Sequence, residues 1–124
     1  MANHTISNEF LSISKIGELI QSNAQLALSE ASKQAIEKCR AYLDQKLASG
    51  KDVFYGINTG FGLLANTSIP DDQLELLQTN LVLSHSTGVG TPLADDVVRL
   101  IYVLKISSLA QGHSGIRKST MEAF

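Results

Sequence analysis

Between Val53 and Leu63 the chain runs Phe54-Tyr55-Gly56-Ile57-Asn58-Thr59-Gly60-Phe61-Gly62, an order of residues that neither a regular helix nor a packed strand accommodates. Three glycines fall within seven positions. Glycine costs about 1 kcal/mol per residue in a helix interior, so this density is wasteful unless the backbone needs positive φ or close approach to a ligand. The segment is therefore expected to be a shaped loop, and helical sequence has to be built on either side of it. It carries one ionisable hydroxyl, on Tyr55, held between the apolar pair Val53-Phe54 and the glycines.

The flanking sequence has helical periodicity. Phe10-Leu11-Ser12-Ile13 is an extended lead-in or a short strand. A short helix is expected from Ser14 as N-cap, burying Ile16, Leu19 and Ile20, weakened by Gly17 and ended by Ser22-Asn23. Gln25-Leu26-Ala27-Leu28 alternates briefly, and Ser29 has the character of an N-cap. From Glu30 to about Ala48, Ala35, Ile36, Cys39, Tyr42, Leu43 and Leu47 recur at three and four, which predicts one buried stripe, with Gly50 as its C-terminal stop. Beyond the loop, Ser68-Ile69-Pro70-Asp71 has a serine cap, a first-turn proline and acids at Asp71 and Asp72 where the helix dipole favours them. That helix is expected to run to about Ser86 and to carry Leu74, Leu77 and Leu81, until Gly88-Val89-Gly90 breaks it. Thr91-Pro92 then caps a helix that is apolar around most of its circumference, from Leu93 through Leu109, with an Asp95–Arg99 pair on its polar strip. Such a helix is a central one, covered on several sides. Gly112 ends it, and Ser114-Gly115-Ile116-Arg117 opens a last turn. The fold class is mainly α, with the glycine-rich loop and one or two short strands.

Composition excludes several functions. A chain of 124 residues fits a single domain. Its net charge of −2 and the lack of any basic cluster beyond Arg117-Lys118 leave no nucleic-acid footprint. Cys39, the only cysteine, sits at helical spacing among apolar residues and is expected to be a small core residue, consistent with a reducing, cytoplasmic setting. The start Met1-Ala2-Asn3-His4-Thr5 is polar with no apolar region after it, so no signal peptide is visible. The run Leu100 to Leu104 is far short of the roughly 18 apolar residues a membrane span needs.

The loop glycines first suggest phosphate binding, but Gly56, Gly60 and Gly62 match neither G-x-G-x-x-G nor the Walker spacing. His4, His85 and His113 are scattered, with no partner at ligand spacing, so no metal site is expected. Ser84, His85 and Asp95 supply the letters of a catalytic triad without a G-x-S-x-G or an oxyanion loop to support one. Tyr55 and His85 remain. Tyr55 is either a loop aromatic packed on the core or an acid-base group; the second role needs a cationic or electrophilic neighbour to stabilise the phenolate, and no residue of this chain is an obvious one. His85 is either a helix C-terminal residue gaining from the dipole or a ligand-binding group.

Tyr55-Gly56-Ile57-Asn58-Thr59-Gly60-Phe61-Gly62, then Gln78-Thr79-Asn80-Leu81-Val82-Leu83-Ser84-His85-Ser86-Thr87-Gly88-Val89-Gly90, then Val98-Arg99-Leu100 and Ser114-Gly115-Ile116-Arg117, resemble the N-terminal portion of the aromatic amino acid ammonia-lyases, most closely the histidine-specific members. The match runs in order from about Val53 to Arg117, roughly half the chain. The resemblance implies a large, mostly helical homotetramer that eliminates ammonia from an aromatic amino acid such as L-histidine, giving trans-urocanate, without an added cofactor. It implies an electrophile, methylidene-imidazolone, formed by cyclisation of an internal Ala-Ser-Gly. Tyr55 would be the catalytic base that removes the β-proton; Gly62 would lie close to the substrate, and His85 would recognise its ring.

One departure bears on activity. Ala48-Ser49-Gly50 has the letters of the electrophile's precursor, but it closes a helix and is followed by Lys51-Asp52 rather than the family's Gly-rich, Asp-Leu-Ala-Pro context. Residues 1–124 are therefore expected to be a single N-terminal domain or fragment of a larger lyase, inactive alone. Two other readings compete: a tyrosine ammonia-lyase or aminomutase of the same superfamily, because His85 serves a phenol as well as an imidazole, and a non-catalytic helical interaction module using the helix 92–111.

Overall fold

The computed structural model describes residues 3–50 and 53–124; Met1, Ala2, Lys51 and Asp52, and with them the readings that rest on the first two residues and on the Lys51-Asp52 context, lie outside the described residues. The elements are β1 (Asn3–Ile6), α1 (Ile13–Ser22), β2 (Gln25–Leu28), α2 (Glu30–Ala48), α3 (Leu74–His85), α4 (Asp95–Leu109) and α5 (Lys118–Ala123), with 3₁₀ turns at Gly62–Leu64 and Asp71–Gln73. The expected mainly α class holds. The chain divides into two compact units, residues 1–48 together with 92–124, and residues 49–91.

In the first unit β1 and β2 pair in parallel, Asn3 opposite Gln25 through Ile6 opposite Leu28, with α1 as the crossover between them. Parallel strands cannot be joined by a tight turn, and a helix is the usual connection. Ser12, not Ser14, caps α1: its Oγ accepts from the Lys15 N–H at 3.2 Å. Phe10-Leu11 is the extended lead-in. The helix stops where Asn23 takes a left-handed conformation at φ 52°, a role to which a short amide side chain is suited. Ser29 caps α2 as expected, accepting from the Ser32 N–H at 3.1 Å, and buried Ser32 in turn donates to Asn8 Oδ1 at 3.3 Å.

On α2, Ile36 is fully buried and Ala35, Cys39, Leu43 and Leu47 are half-buried, but Tyr42 is 60% exposed. The stripe therefore excludes Tyr42. Six positions beyond Ile36 is about 240° around a helix, off the buried face, and Tyr42 instead lies under the Lys46 ammonium, 5.8 Å from the ring centroid. The core forms around Ile6, Ile36, Ile106, Ala110 and Met121, with a second cluster of Leu19, Ala24 and Val103. Polar ties reinforce α2: Arg40 donates to the Gly115 carbonyl at 3.3 Å, and Lys118 on α5 pairs with Glu37 at 3.0 Å.

Three expectations about α4 are corrected. It starts at Asp95 with extended Ala94 at the cap, and no side chain caps it; Thr91, in a bend, and Pro92 precede it outside the helix. No Asp95–Arg99 ion pair forms among the described residues, and the Arg99 Nε is buried without a partner. The helix is also not covered on several sides. Val103 and Ile106 are buried, while Val97, Val98, Ile101, Tyr102 and Leu104 remain 36% to 52% exposed. The short elements α1 and α5 and a two-stranded sheet reach only one side of it, so a broad apolar face stays open to solvent, the kind of surface that marks an interaction site.

Gly17 lies inside α1 with no atom within 4 Å of where a Cβ would stand and no positive φ. Gly17→Ala is therefore expected to stabilise the unit by about 0.5–1 kcal/mol, since only chain entropy and helix propensity change. A urea titration with unchanged slope and a higher midpoint is the expected result; a lower midpoint would contradict the open environment of this position.

Candidate active site

The second unit holds the glycine loop and α3, and its backbone shows why the glycines are there. Residues 54–58 form a tight turn in which the Ile57 and Asn58 N–H groups donate to the Phe54 carbonyl at 3.1 and 3.2 Å. Asn58 closes the turn from the other side by accepting from the Phe54 N–H at 2.7 Å through Oδ1. Gly56 sits at the apex with φ 74°, a conformation costly for any residue with a Cβ. Its N–H donates to the Thr59 Oγ1 at 3.1 Å, and that hydroxyl donates to the Gly60 carbonyl at 2.9 Å. Thr59 is fully buried, and its hydroxyl is spent holding the loop's own backbone.

The return strand fixes the rest. Thr59 bridges Ser68 in antiparallel fashion, with the Gly60 N–H donating to the Thr67 carbonyl at 3.1 Å and the Ile69 N–H donating to the Asn58 carbonyl at 3.0 Å. Ser68 is thus part of this bridge and not a helix cap, which corrects the expected start of the following helix. The chain turns through the 3₁₀ segment Asp71–Gln73 behind Pro70, and α3 begins at Leu74 with no capping side chain. Leu74, Leu77 and Leu81 are half-buried on α3 as expected, but no residue of that helix is fully buried.

Tyr55 stands out from this frame. It is 65% exposed, and its ring contact is an edge-on one with Phe61, centroids 5.9 Å apart at 70°. It is not a core aromatic. Gly62, with φ 55°, has nothing within 4 Å of a Cβ position, so the left-handed backbone and open space on its surface account for glycine there. Gly60 differs: its φ is ordinary, but a Cβ would fall 2.6 Å from Leu64 Cβ and 2.8 Å from the Leu64 carbonyl oxygen. Close packing of the Phe61–Leu64 turn on the bridge demands glycine at that position.

The link between the loop and α3 is Gln78, whose Nε2 donates to the Gly56 carbonyl at 3.4 Å. His85 is seven residues further along the same helix, about 10 Å up the axis and within about 20° of the same face. The face of α3 that touches the tyrosine loop therefore also carries His85. The imidazole is exposed at the helix C-terminus, its Nδ1 lying 2.9 Å from both the Leu81 carbonyl oxygen and the Ser84 Oγ. Sequence reasoning singled out Tyr55, Gly62 and His85 as candidates but assigned no work to Asn58, Thr59 and Gln78. The signal available was the presence of an amide and a hydroxyl inside a glycine run, which free backbone N–H groups there require.

Elsewhere, an apolar groove of about 560 Å³ lies in the first unit, bounded by Leu26, Val103, Ile106 and Met121 among others, and contains neither Tyr55 nor His85. No set of three His, Cys, Asp or Glu side chains among the described residues could hold a metal ion. No helix among them is long and apolar enough to cross a membrane. Ala48-Ser49-Gly50, the only Ala-Ser-Gly in the sequence, is the end of α2, with Gly50 at φ 64° closing it. A helix terminus of this kind does not fit the role of an imidazolone precursor.

Gly60→Ala is expected to push the 61–64 turn away and with it Phe61, against which Tyr55 rests. Forcing a Cβ into such a packed contact costs about 1–3 kcal/mol, so a lower urea midpoint is expected. An unchanged midpoint would show that the turn accommodates a Cβ without moving.

Residues 11–124 match the family model for aromatic amino acid lyase. The chain is 50% identical over 119 residues to a histidine ammonia-lyase of Burkholderia mallei, an alignment covering 96% of this chain and 23% of that protein. A crystal structure of histidine ammonia-lyase from Trypanosoma cruzi superposes with a TM-score of 0.78 at 36% identity, over 95% of this chain and 22% of the other. Tyrosine aminomutase from Streptomyces globisporus superposes with a TM-score of 0.85 at 29% identity, over 98% and 23%. The chain thus spans about a quarter of the length of the relatives it matches.

Proposed function

This chain belongs to the aromatic amino acid lyase family, and from that premise we propose that it is the N-terminal part of a histidine ammonia-lyase, contributing the base and a ring-recognition group to the conversion of L-histidine into trans-urocanate and ammonia. The observation that carries the reading is the exposed Tyr55 phenol on a loop whose every glycine has a structural reason, joined through Gln78 to the helix face that bears His85.

The chemistry follows from those groups. Tyr55 takes the β-proton; the electrons of that C–H bond become the Cα=Cβ double bond, and the Cα–N bond breaks with its pair leaving on nitrogen as ammonia. His85 holds the substrate ring by a hydrogen bond, and the bare surface of Gly62 lets the substrate approach the backbone. In this family the methylidene-imidazolone supplies the electrophile that makes the amine a leaving group. Among the described residues, the one Ala-Ser-Gly closes α2 and does not fit its formation. The 124-residue chain alone is accordingly expected to be inactive, and the assembly that completes the site is expected to be a cytoplasmic homotetramer.

The test is elimination by the full-length enzyme with histidine and tyrosine offered separately. Urocanate from histidine is the expected product. Coumarate alone would move the substrate to tyrosine. Absence of product from both would leave the loop without catalytic meaning and bring forward an interaction module built on the open face of α4.

A further inference from the structure

We infer that Thr59 is a positioning residue for Tyr55: its hydroxyl fixes the peptide that joins Tyr55 to Gly56, sets the direction in which the phenol leaves the loop, and so carries part of the rate without touching substrate. This rests on the proposed role of Tyr55 as the base and adds what holds that base in place. A general base works only when it is held at the proton it removes, and on a loop that hold has to come from the backbone beneath it.

Tyr55 is 65% exposed, its ring meets only the edge of Phe61, and no hydrogen bond holds the phenol among the described residues. Its direction is therefore set by the two peptides that flank it. The first has its carbonyl, on Phe54, taken by the Ile57 and Asn58 N–H groups at 3.1 and 3.2 Å. Backbone alone makes that hold. The second has its N–H, on Gly56, donated to Thr59 Oγ1 at 3.1 Å, and this one depends on a side chain. Thr59 suits the task because it is itself immobile. It is fully buried, and its hydroxyl proton is committed to the Gly60 carbonyl at 2.9 Å, which turns a lone pair toward Gly56. On either side of it the chain is tied to the return strand, by the Gly60 N–H on the Thr67 carbonyl and the Ile69 N–H on the Asn58 carbonyl. A β-branched side chain also has few rotamers to choose from. Gln78 reaches the carbonyl of Gly56, but it is exposed and 3.4 Å away, the weaker hold.

The experiment uses the full-length enzyme and two pairs of proteins that differ at the hydroxyl alone: wild type against Thr59→Val, and Thr59→Ser against Thr59→Ala. Losing the hydroxyl is expected to lower kcat about tenfold in each pair, the factor one lost hydrogen bond with an unpaired partner produces, and to leave KM within about twofold. Thr59→Ser, which gives up only a buried methyl, should unfold at a lower urea concentration and still keep kcat within about twofold of wild type. Rate then follows the oxygen and stability the methyl, a split that a merely structural threonine would not show. In a Tyr55→Phe background the same loss of the hydroxyl should change the residual rate less than about twofold, because the group it positions is gone. Wild-type kcat in both Thr59→Val and Thr59→Ala, or a tenfold loss that persists beside Tyr55→Phe, would overturn the assignment while Tyr55 kept its role. If one hydroxyl-free variant fails to fold, the other pair decides; if both fail, the hydroxyl serves the fold and the assignment falls. Tyr55→Phe at wild-type kcat would overturn the functional reading and this inference with it.

Discussion

Tyr55→Phe in the full-length enzyme is expected to lower kcat for histidine elimination by about 10²–10⁴-fold, the contribution of a positioned general base, and to leave KM within about twofold. The substitution removes one oxygen and little else. Tyr55 is 65% exposed, and its edge-on contact with Phe61 is a ring contact that phenylalanine keeps. The turn beneath it is held by Asn58 and by the Gly56, Thr59 and Gly60 backbone network, none of which uses the phenol. Stability should therefore be unchanged, and the loss should appear in the chemical step alone. The measurement is steady-state urocanate formation alongside thermal unfolding of both proteins. A variant that retains wild-type kcat would remove Tyr55 from the mechanism. One that lost stability as well would show that the hydroxyl serves the fold.

The loop was legible in the sequence because its glycines have no alternative use, and α2 was legible because a serine cap, a long periodic stripe and a stop agree with one another at Ser29, Ile36 and Gly50. The strand β1 was not. Four residues, Asn3–Ile6, bury only Ile6 completely, and their partner is reached across α1, so no local pattern announces the pairing. Ser68 and Thr91 illustrate the opposite failure. Each has the chemistry of a cap, but Ser68 is drawn into the bridge with Thr59, and Thr91 lies in a bend four residues before α4 begins, with Ala94 at the cap. At Ser68 the pairing overrides a local preference worth about 1 kcal/mol. At the candidate site the same division holds. The candidate residue types Tyr55 and His85 stand out in the sequence, whereas the Gln78 contact that ties the loop to the face of α3 depends on a fold no spacing rule supplies.

The turn after α4 carries the largest expected effect on stability. Gly112 has φ 73°, and a Cβ there would lie 2.7 Å from both the carbonyl carbon and the Cβ of Ala35 and 2.8 Å from its carbonyl oxygen. Two independent costs add in Gly112→Ala. A left-handed backbone with a side chain costs about 1–2 kcal/mol, and forcing atoms into a packed contact costs about 1–3 kcal/mol more. The contact is with the backbone of α2, which cannot rotate out of the way. Relief would have to come from moving α2 or the end of α4, and both carry the core through Ile36, Ile106 and Ala110. Gly115 is the useful contrast: its φ of 70° is also positive, but the obstructing atom is Leu43 Cδ2, the end of a flexible side chain. Gly112→Ala is thus expected to destabilise the unit by about 2–5 kcal/mol, a large share of what a domain of this size has to lose. Gly115→Ala should cost less, the difference being the steric part alone. Urea unfolding of the two variants side by side measures that difference. Equal losses would mean that the backbone conformation alone sets the cost and that the approach of Gly112 to α2 is looser than the packing around Ala35 implies.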